Sequence, residues 1–140
     1  MTAAVYKIDV EVTDSCIDWL GHASNLAYLQ WIQDVAVAHS VAVGLGLDGY
    51  QKLGAVFVVR RHEIDYLRPV LRGERLEVRT HIDSVMAAKC KRATEIVRIT
   101  DDGLEQVCCR AMTTWGYVEM SAGRPTRIPD EVRNAFGMPR

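Results

Sequence analysis

The chain has 140 residues, of which 49% are apolar and 25% charged, with a formal net charge of −1. That length supports one packed core but not two, so a single domain over 1–140 is expected. Near-neutral charge argues against a nucleic-acid partner, and no apolar run approaches the ~20 residues of a membrane span.

Residues 5–12 alternate, Val5, Lys7, Asp9 and Glu11 against Tyr6, Ile8, Val10 and Val12, which is the pattern of a half-buried strand. The same stretch has no signal-peptide core, so the expected address is the cytoplasm. The four cysteines, Cys16, Cys90, Cys108 and Cys109, show neither CxxC nor Cys/His metal spacing. They read as small buried hydrophobes rather than a disulfide framework or a zinc site. On a strand, Cys108 and Cys109 should point to opposite faces.

Residues 13–21 are polar and turn-rich, hence a loop. Ser24 or Asn25 can cap a following helix, and Gly44 can stop it. Inside that helix Ile32, Val35, Ala36, Val37, Ala38, Val41, Ala42 and Val43 cover most of the circumference. A helix apolar nearly all round must be enclosed by the rest of the protein. Residues 45–54 are a connection with a short helical turn around 48–53.

After Gly54 the apolar period changes from 3.6 to 2. Strands are expected over 55–67, 74–85, 91–100 and 105–119, with Pro69, Gly73 and the hairpin turn Asp101-Asp102-Gly103 between them. In the second of these, Leu76, Val78, Thr80 and Ile82 share one side. Pro129 at the first helical position, with Asp130 and Glu131 behind it and Gly137 beyond, gives a short C-terminal helix. The fold class is α+β: one long central helix wrapped by a curled antiparallel sheet of about five strands. The four late strands are expected to pair as sequential neighbours. One helix leaves part of the sheet uncovered, which predicts burial against a second copy of the chain.

Chemistry concentrates at the mouth of the buried helix. Asp18 precedes it, and Trp19 and Leu20 should fold the loop onto apolar surface and strip water from the carboxylate. Gly21 allows a sharp turn or a close ligand approach. His22 is either an acid/base group or a loop hydrogen-bonder. The backbone N–H of Asn25 lies in the first helical turn, where donors lack internal partners and the helix dipole favours negative charge. Such a donor can polarise a carbonyl and hold developing oxyanion charge. Tyr28, one turn later, packs or turns its hydroxyl to a ligand. Lys89, Lys91 and Arg92 form either a solvated charge run or a phosphate contact. Arg60, Arg61 and Arg68 are weaker basic candidates. His39, His62 and His81 read as core, surface or interface residues. Cys16 has no supporting motif as a nucleophile. There is no Gly-x-Ser-x-Gly elbow, P-loop or dinucleotide fingerprint.

The stretch Asp18-x-x-Gly21-His22-x-x-Asn25-x-x-Tyr28-Leu29 resembles the active-site segment of the hotdog-fold acyl-CoA thioesterases, closest to the 4-hydroxybenzoyl-CoA thioesterase family with its YbgC-like branch. The run from Ile64 to Pro69, followed by Gly73-Glu74, is similar to that family's second strand and turn. The resemblance implies that Asp18 is the catalytic carboxylate, as general base or nucleophile. It implies that the Asn25 amide polarises the thioester carbonyl and that His22 lies near the substrate. It also implies dimers, often paired into homotetramers, with sites at subunit interfaces. Many relatives carry an acidic residue where this chain has Cys16, and some carry arginines where it has Val85 to Ala88.

Together these readings give a hydrolase of acyl-CoA thioesters, with a small aromatic or short-to-medium acyl group. Gly21, Tyr28, Lys89, Lys91 and Arg92 are substrate-binding candidates. No metal or separate cofactor is expected, since coenzyme A is part of the substrate. The competing readings are a hotdog dehydratase or hydratase, which pairs a histidine with a carboxylate, and a non-catalytic acyl-CoA sensor.

Overall fold

Alternation decides which side of each strand leaves water. In β1 (Tyr6–Glu11) Lys7, Asp9 and Glu11 are exposed, while Tyr6, Ile8 and Val10 turn inward. β3 (Arg75–Val85) buries Leu76, Val78, Thr80 and Ile82, as expected. β2 (Ala55–Tyr66), β4 (Lys89–Ile99) and β5 (Glu105–Glu119) complete the sheet. The structure, a computed structural model, describes residues 4–139.

Helix α1 (Asn25–Ala42) is capped by Ser24, whose Oγ accepts from the Ala27 amide, and the chain turns away at Gly44 with φ of +86°. It lies across the inner face of the sheet. Tyr28, Trp31, Ile32 and Val35 meet Leu76, Val78, Ile96, Cys108 and Cys109 in one core. A second core joins Leu45, Ile82, Cys90 and Tyr117 to Tyr50 of α2 (Leu47–Leu53) and to Val132 and Phe136 of α3 (Asp130–Phe136). Pro129 is the residue before α3 rather than its first.

The strand order is β1-β3-β4-β5-β2, antiparallel throughout. This corrects the expectation that the four late strands pair in sequence. β2 crosses to the far edge beside β5, and β1 takes the place next to β3. The reason is the connection: residues 67–74 are too long for a hairpin turn, and Val70 within them is fully buried. The truly short links, at 86–88 and 100–104, do make neighbours.

Register shifts at Arg60, Asp83 and Cys108 bend the sheet around the helix. The one at Cys108 also overturns the expectation for the two cysteines. Ile96 pairs with Cys109 and Val97 with Val107, so Cys108 is the extra residue, and both thiols are buried. Burial pushes the Cys109 thiol up to about 12.

The helix is not enclosed by its own chain. Leu26 is 76% exposed, and Val37 and Val41 are each 59% exposed. One stripe of α1 therefore faces away from the sheet.

His39 sits in the core between the rings of Tyr6 and Phe136. Burial and the neighbouring Arg92 lower it from 6.5 to about 4. The unfolded chain therefore takes up a proton in this window and the folded one does not, so the stabilisation present above pH 6.5 is lost as pH falls through about 4. Urea midpoints measured from pH 7 to pH 4 should fall, and the fall should be shallower in His39→Asn.

Candidate functional site

The loop before α1 is a tight turn that closes on itself. The Asp18 amide donates to the His22 carbonyl at 2.8 Å, and the Gly21 amide donates to the Asp18 carbonyl at 3.0 Å. Gly21 has φ of +81°, where a side chain would be strained. Ala23 then donates to Val70 at 2.8 Å and Ser24 to Cys16 at 2.8 Å, which ties the turn to the β2–β3 connection and to the preceding loop.

This turn aims the Asp18 carboxylate. Its Oδ1 accepts from the amides of Leu20 at 2.9 Å and His22 at 3.3 Å. Oδ2 takes no hydrogen bond among the described residues. The carboxylate is thus held by main chain on one oxygen and presents the other. Trp19 is 92% exposed and Leu20 59%, which corrects the expectation that they fold against apolar surface. Too little of the chain lies beside this turn to cover them.

Asp18, His22, Asn25 and Tyr28 line one groove of about 400 Å³. Asn25 opens the helix, and neither its amide nor that of Leu26 finds an acceptor among the described residues. Asp18, Asn25 and Leu26 all line this groove. Tyr28 is buried, edge-on to Trp31 and Tyr66, and its hydroxyl donates to the Arg68 carbonyl at 3.3 Å. Burial raises that hydroxyl to about 12. His22 meets Asp18 through its amide; no hydrogen bond joins its ring to the carboxylate among the described residues.

The far wall of the groove is Tyr66, Leu67, Arg68 and Pro69. Arg68, one of the weaker basic candidates, is the one lysine or arginine that lines the groove among the described residues. Its Nη1 donates to Val107 at 2.6 Å, fixing it across the sheet edge. The one available signal was Pro69, which ends a strand and so puts its neighbours at a sheet edge.

The basic trio is not together. Lys89 is exposed and Lys91 half-buried, but Arg92 is 4% exposed and turns to the helix side. Successive strand residues face opposite ways, so a surface phosphate cannot meet all three. Lys89 pairs with Gly116, whereas the groove residue Tyr66 pairs with Cys109. Seven positions along β5 separate these points, ~23 Å at strand rise. Within one chain, then, Lys89 and Asp18 lie at opposite ends of the sheet. His62 binds Thr113, and Cys16 lies half-buried beside Thr13. Among the described residues no three His, Cys, Asp or Glu side chains converge as metal ligands, and no helix is long and apolar enough to cross a membrane.

One long helix cradled in a curled five-stranded antiparallel sheet, with a carboxylate-bearing turn at the helix mouth, is the hotdog fold. The chain belongs to the thioesterase-like superfamily, whose family model matches residues 12–136. It is 23% identical over 132 residues to a chloroplastic acyl-acyl carrier protein thioesterase of Arabidopsis thaliana, covering 94% of this chain and 68% of that one. Among solved structures it is similar to an oleoyl thioesterase from Lactobacillus plantarum, with a TM-score of 0.89 and 20% identity over 98% of this chain. The chain spans 52% of that protein's length. It is also similar to an aspartate-to-asparagine variant of 4-hydroxybenzoyl-CoA thioesterase complexed with 4-hydroxybenzoyl-CoA, with a TM-score of 0.87, 14% identity and coverage of 94% and 98%.

Two substitutions test how the turn is built. Gly21→Ala should cost about 1 kcal/mol in chemical denaturation, because the left-handed backbone is retained under strain. Ser24→Ala should cost about 1 kcal/mol through loss of the cap.

Proposed function

We propose that the protein hydrolyses acyl-CoA thioesters to a free acid and coenzyme A, at the groove of Asp18. The observation that carries this is the shared groove: it is lined by Asp18, whose Oδ2 has no partner among the described residues, and by Asn25 and Leu26, whose amides have no acceptor among them. Thioester hydrolysis needs those two things together.

In the general-base form, Asp18 Oδ2 takes a proton from water, and the oxygen attacks the thioester carbon. The carbonyl oxygen gains charge and accepts from the Asn25 and Leu26 amides at the positive end of α1. The C–S bond then breaks, the thiolate leaves, and the proton passes back to it. In the nucleophilic form Oδ2 attacks the carbon itself, the C–S bond breaks and coenzyme A leaves as its thiolate. Water then cleaves the resulting anhydride, freeing the acid and the Asp18 carboxylate and leaving a proton for the thiolate. Gly21, expected beside the substrate, is not among the groove's lining residues and serves the left-handed bend of the turn instead, while His22 and Tyr28 line the groove. No metal or separate cofactor enters. The absence of a ring-to-carboxylate bond between His22 and Asp18 weighs against the dehydratase reading.

The site is completed by a second copy. β2 is a twelve-residue edge strand with one side unpaired, an unusually long edge for a protein to leave open. Antiparallel pairing of two β2 strands would set the Lys89 end of one copy beside the Asp18 groove of the other. Lys89 and Lys91 would then reach the CoA phosphates across the interface, joined by Arg68 of the groove itself. Trp19, Leu20 and the open stripe of α1 would be covered in the same step. A homodimer is the unit this requires, and pairing of dimers into a homotetramer is compatible with it.

The test is hydrolysis across a panel of aromatic and short-to-medium acyl-CoAs, wild type beside Asp18→Asn. Wild type should cleave at least one member, and the variant should lose about a hundredfold or more in kcat, the size expected for removing a base or nucleophile. An unchanged variant would remove Asp18 from the mechanism. Sedimentation velocity should give a dimer or tetramer, and Lys89→Ala with Lys91→Ala should raise KM with little change in kcat.

A further inference from the structure

The face of the sheet turned away from α1 carries a charge arrangement that packing does not require. Gly116 on β5 pairs with Val58 of β2 on one side and with Lys89 of β4 on the other. Successive residues of a strand face opposite ways, and Trp115 packs against the inner core. The missing side chain of Gly116 therefore belongs to the outer face, and Arg60 fills its place. A Cβ on Gly116 would sit 2.9 Å from Arg60 Nε and 3.3 Å from Arg60 Cγ.

Arg60 reaches this slot through a bulge. Val59 pairs with Trp115 and Arg61 with Thr114, which leaves Arg60 as the extra residue between them. Directly paired residues have Cβ atoms about 4.5–5.5 Å apart, so Arg60 Nε lies within about 8 Å of the Lys89 Cβ. The lysine stem can span most of that distance. Lys91, two residues on, shares the face. Among the described residues no carboxylate lies within 4.0 Å of Arg60, Lys89 or Lys91, whereas Arg61 is paired with Glu63 at 3.2 Å. Arg60 and Lys89 are both exposed. A methionine stem would cover the glycine as well as an arginine stem does. The arginine instead brings an unpaired cation up to a lysine, and like charges repel. An anion between them removes that repulsion. The flat guanidinium fork can donate to two phosphate oxygens at once, and the ammonium can donate to a third.

We propose that Arg60, laid over Gly116, binds a phosphate of the coenzyme A nucleotide together with Lys89. This site rests on the acyl-CoA reading above and selects the carrier of the acyl group: a thiol that ends in a nucleotide is favoured over bare pantetheine. Arg60 and Lys89 belong to the same copy, so the pair exists before two copies meet. Pairing through β2 lengthens the sheet and covers the helix side, which leaves the outer face open to the nucleotide.

The test is calorimetric titration with coenzyme A, dephospho-coenzyme A and pantetheine at low salt, which needs no turnover. Wild type should bind coenzyme A at least about tenfold tighter than pantetheine. Arg60→Met keeps a stem over Gly116 and removes the charge; the ratio of the two affinities should fall by about fivefold or more. Gly116→Ala removes no charge, but its methyl group displaces the Arg60 stem, so the ratio should fall in the same direction. Dephospho-coenzyme A locates the phosphate. Where its affinity over pantetheine also falls in Arg60→Met, the diphosphate is held; where it does not, the 3′-phosphate is. The proposal is overturned if wild type binds coenzyme A and pantetheine alike, which needs no variant to fold. It is also overturned if Arg60→Met, or a folded Gly116→Ala, keeps the full ratio. Thioester cleavage measured on the same proteins separates the two claims. Arg60-dependent binding without cleavage removes the hydrolysis and leaves this site, and cleavage with an unchanged ratio in Arg60→Met does the reverse.

Discussion

Trp31, Ile32 and Val35 can leave water only if something wraps the helix that carries them, and one flat sheet cannot do it. The five strands therefore curl, and the register shifts at Arg60, Asp83 and Cys108 are where the bending is concentrated. The rest follows from that embrace. The long β2–β3 connection has to cross the open end of the curl, and it does so by burying Val70. Val70 in turn receives the Ala23 amide and so fixes the turn that holds Asp18. A packing demand in the middle of the helix is thus transmitted to the position of one carboxylate at its end.

Much of this was legible in the residues. The bounds of β5, the period-2 face of β3 and the Ser24 cap all follow from local chemistry. Of the six-position pattern from Asp18 to Leu29, Asp18, His22, Asn25 and Tyr28 line one groove, while Gly21 and Leu29 do not. What was hidden was non-local. Strand order depends on where an eight-residue link travels, and no local pattern encodes that. The double burial of Cys108 and Cys109 depends on a one-residue slip against Ile96, which alternation alone contradicts. Arg92 is next to Lys89 and Lys91 in sequence, but no register shift falls between them on β4, so Arg92 faces the opposite way from both lysines. Trp19 looked like an anchor because indoles are usually buried, and a single chain has nothing there to bury it.

The two ends of α1 are chemically unlike. At the start, the protein provides main-chain donors and a fixed carboxylate in an open groove. Near the end, Arg92 and Trp115 are among the residues lining a largely apolar chamber, with His39 held neutral beside Arg92. The helix between carries no charged side chain inward, so each end keeps its own electrostatics. That separation keeps a polar groove and a largely apolar chamber apart in so small a chain.

The unpaired amides of Asn25 and Leu26 have a consequence for how this sequence can drift. A donor made of main chain is supplied by nearly any residue type, so position 25 can vary widely without touching it. Proline is the exception, and an instructive one. At the first position of a helix it is well tolerated, because its fixed backbone angle suits the turn and its missing N–H had no intrahelical partner. Mutational pressure at this position is therefore almost invisible to folding and falls on a single excluded amino acid. By contrast, Gly21 holds a left-handed backbone that other residues adopt only under strain, and under the proposed mechanism Asp18 must keep its charge. The inherited information needed for the groove is thus confined to very few side chains.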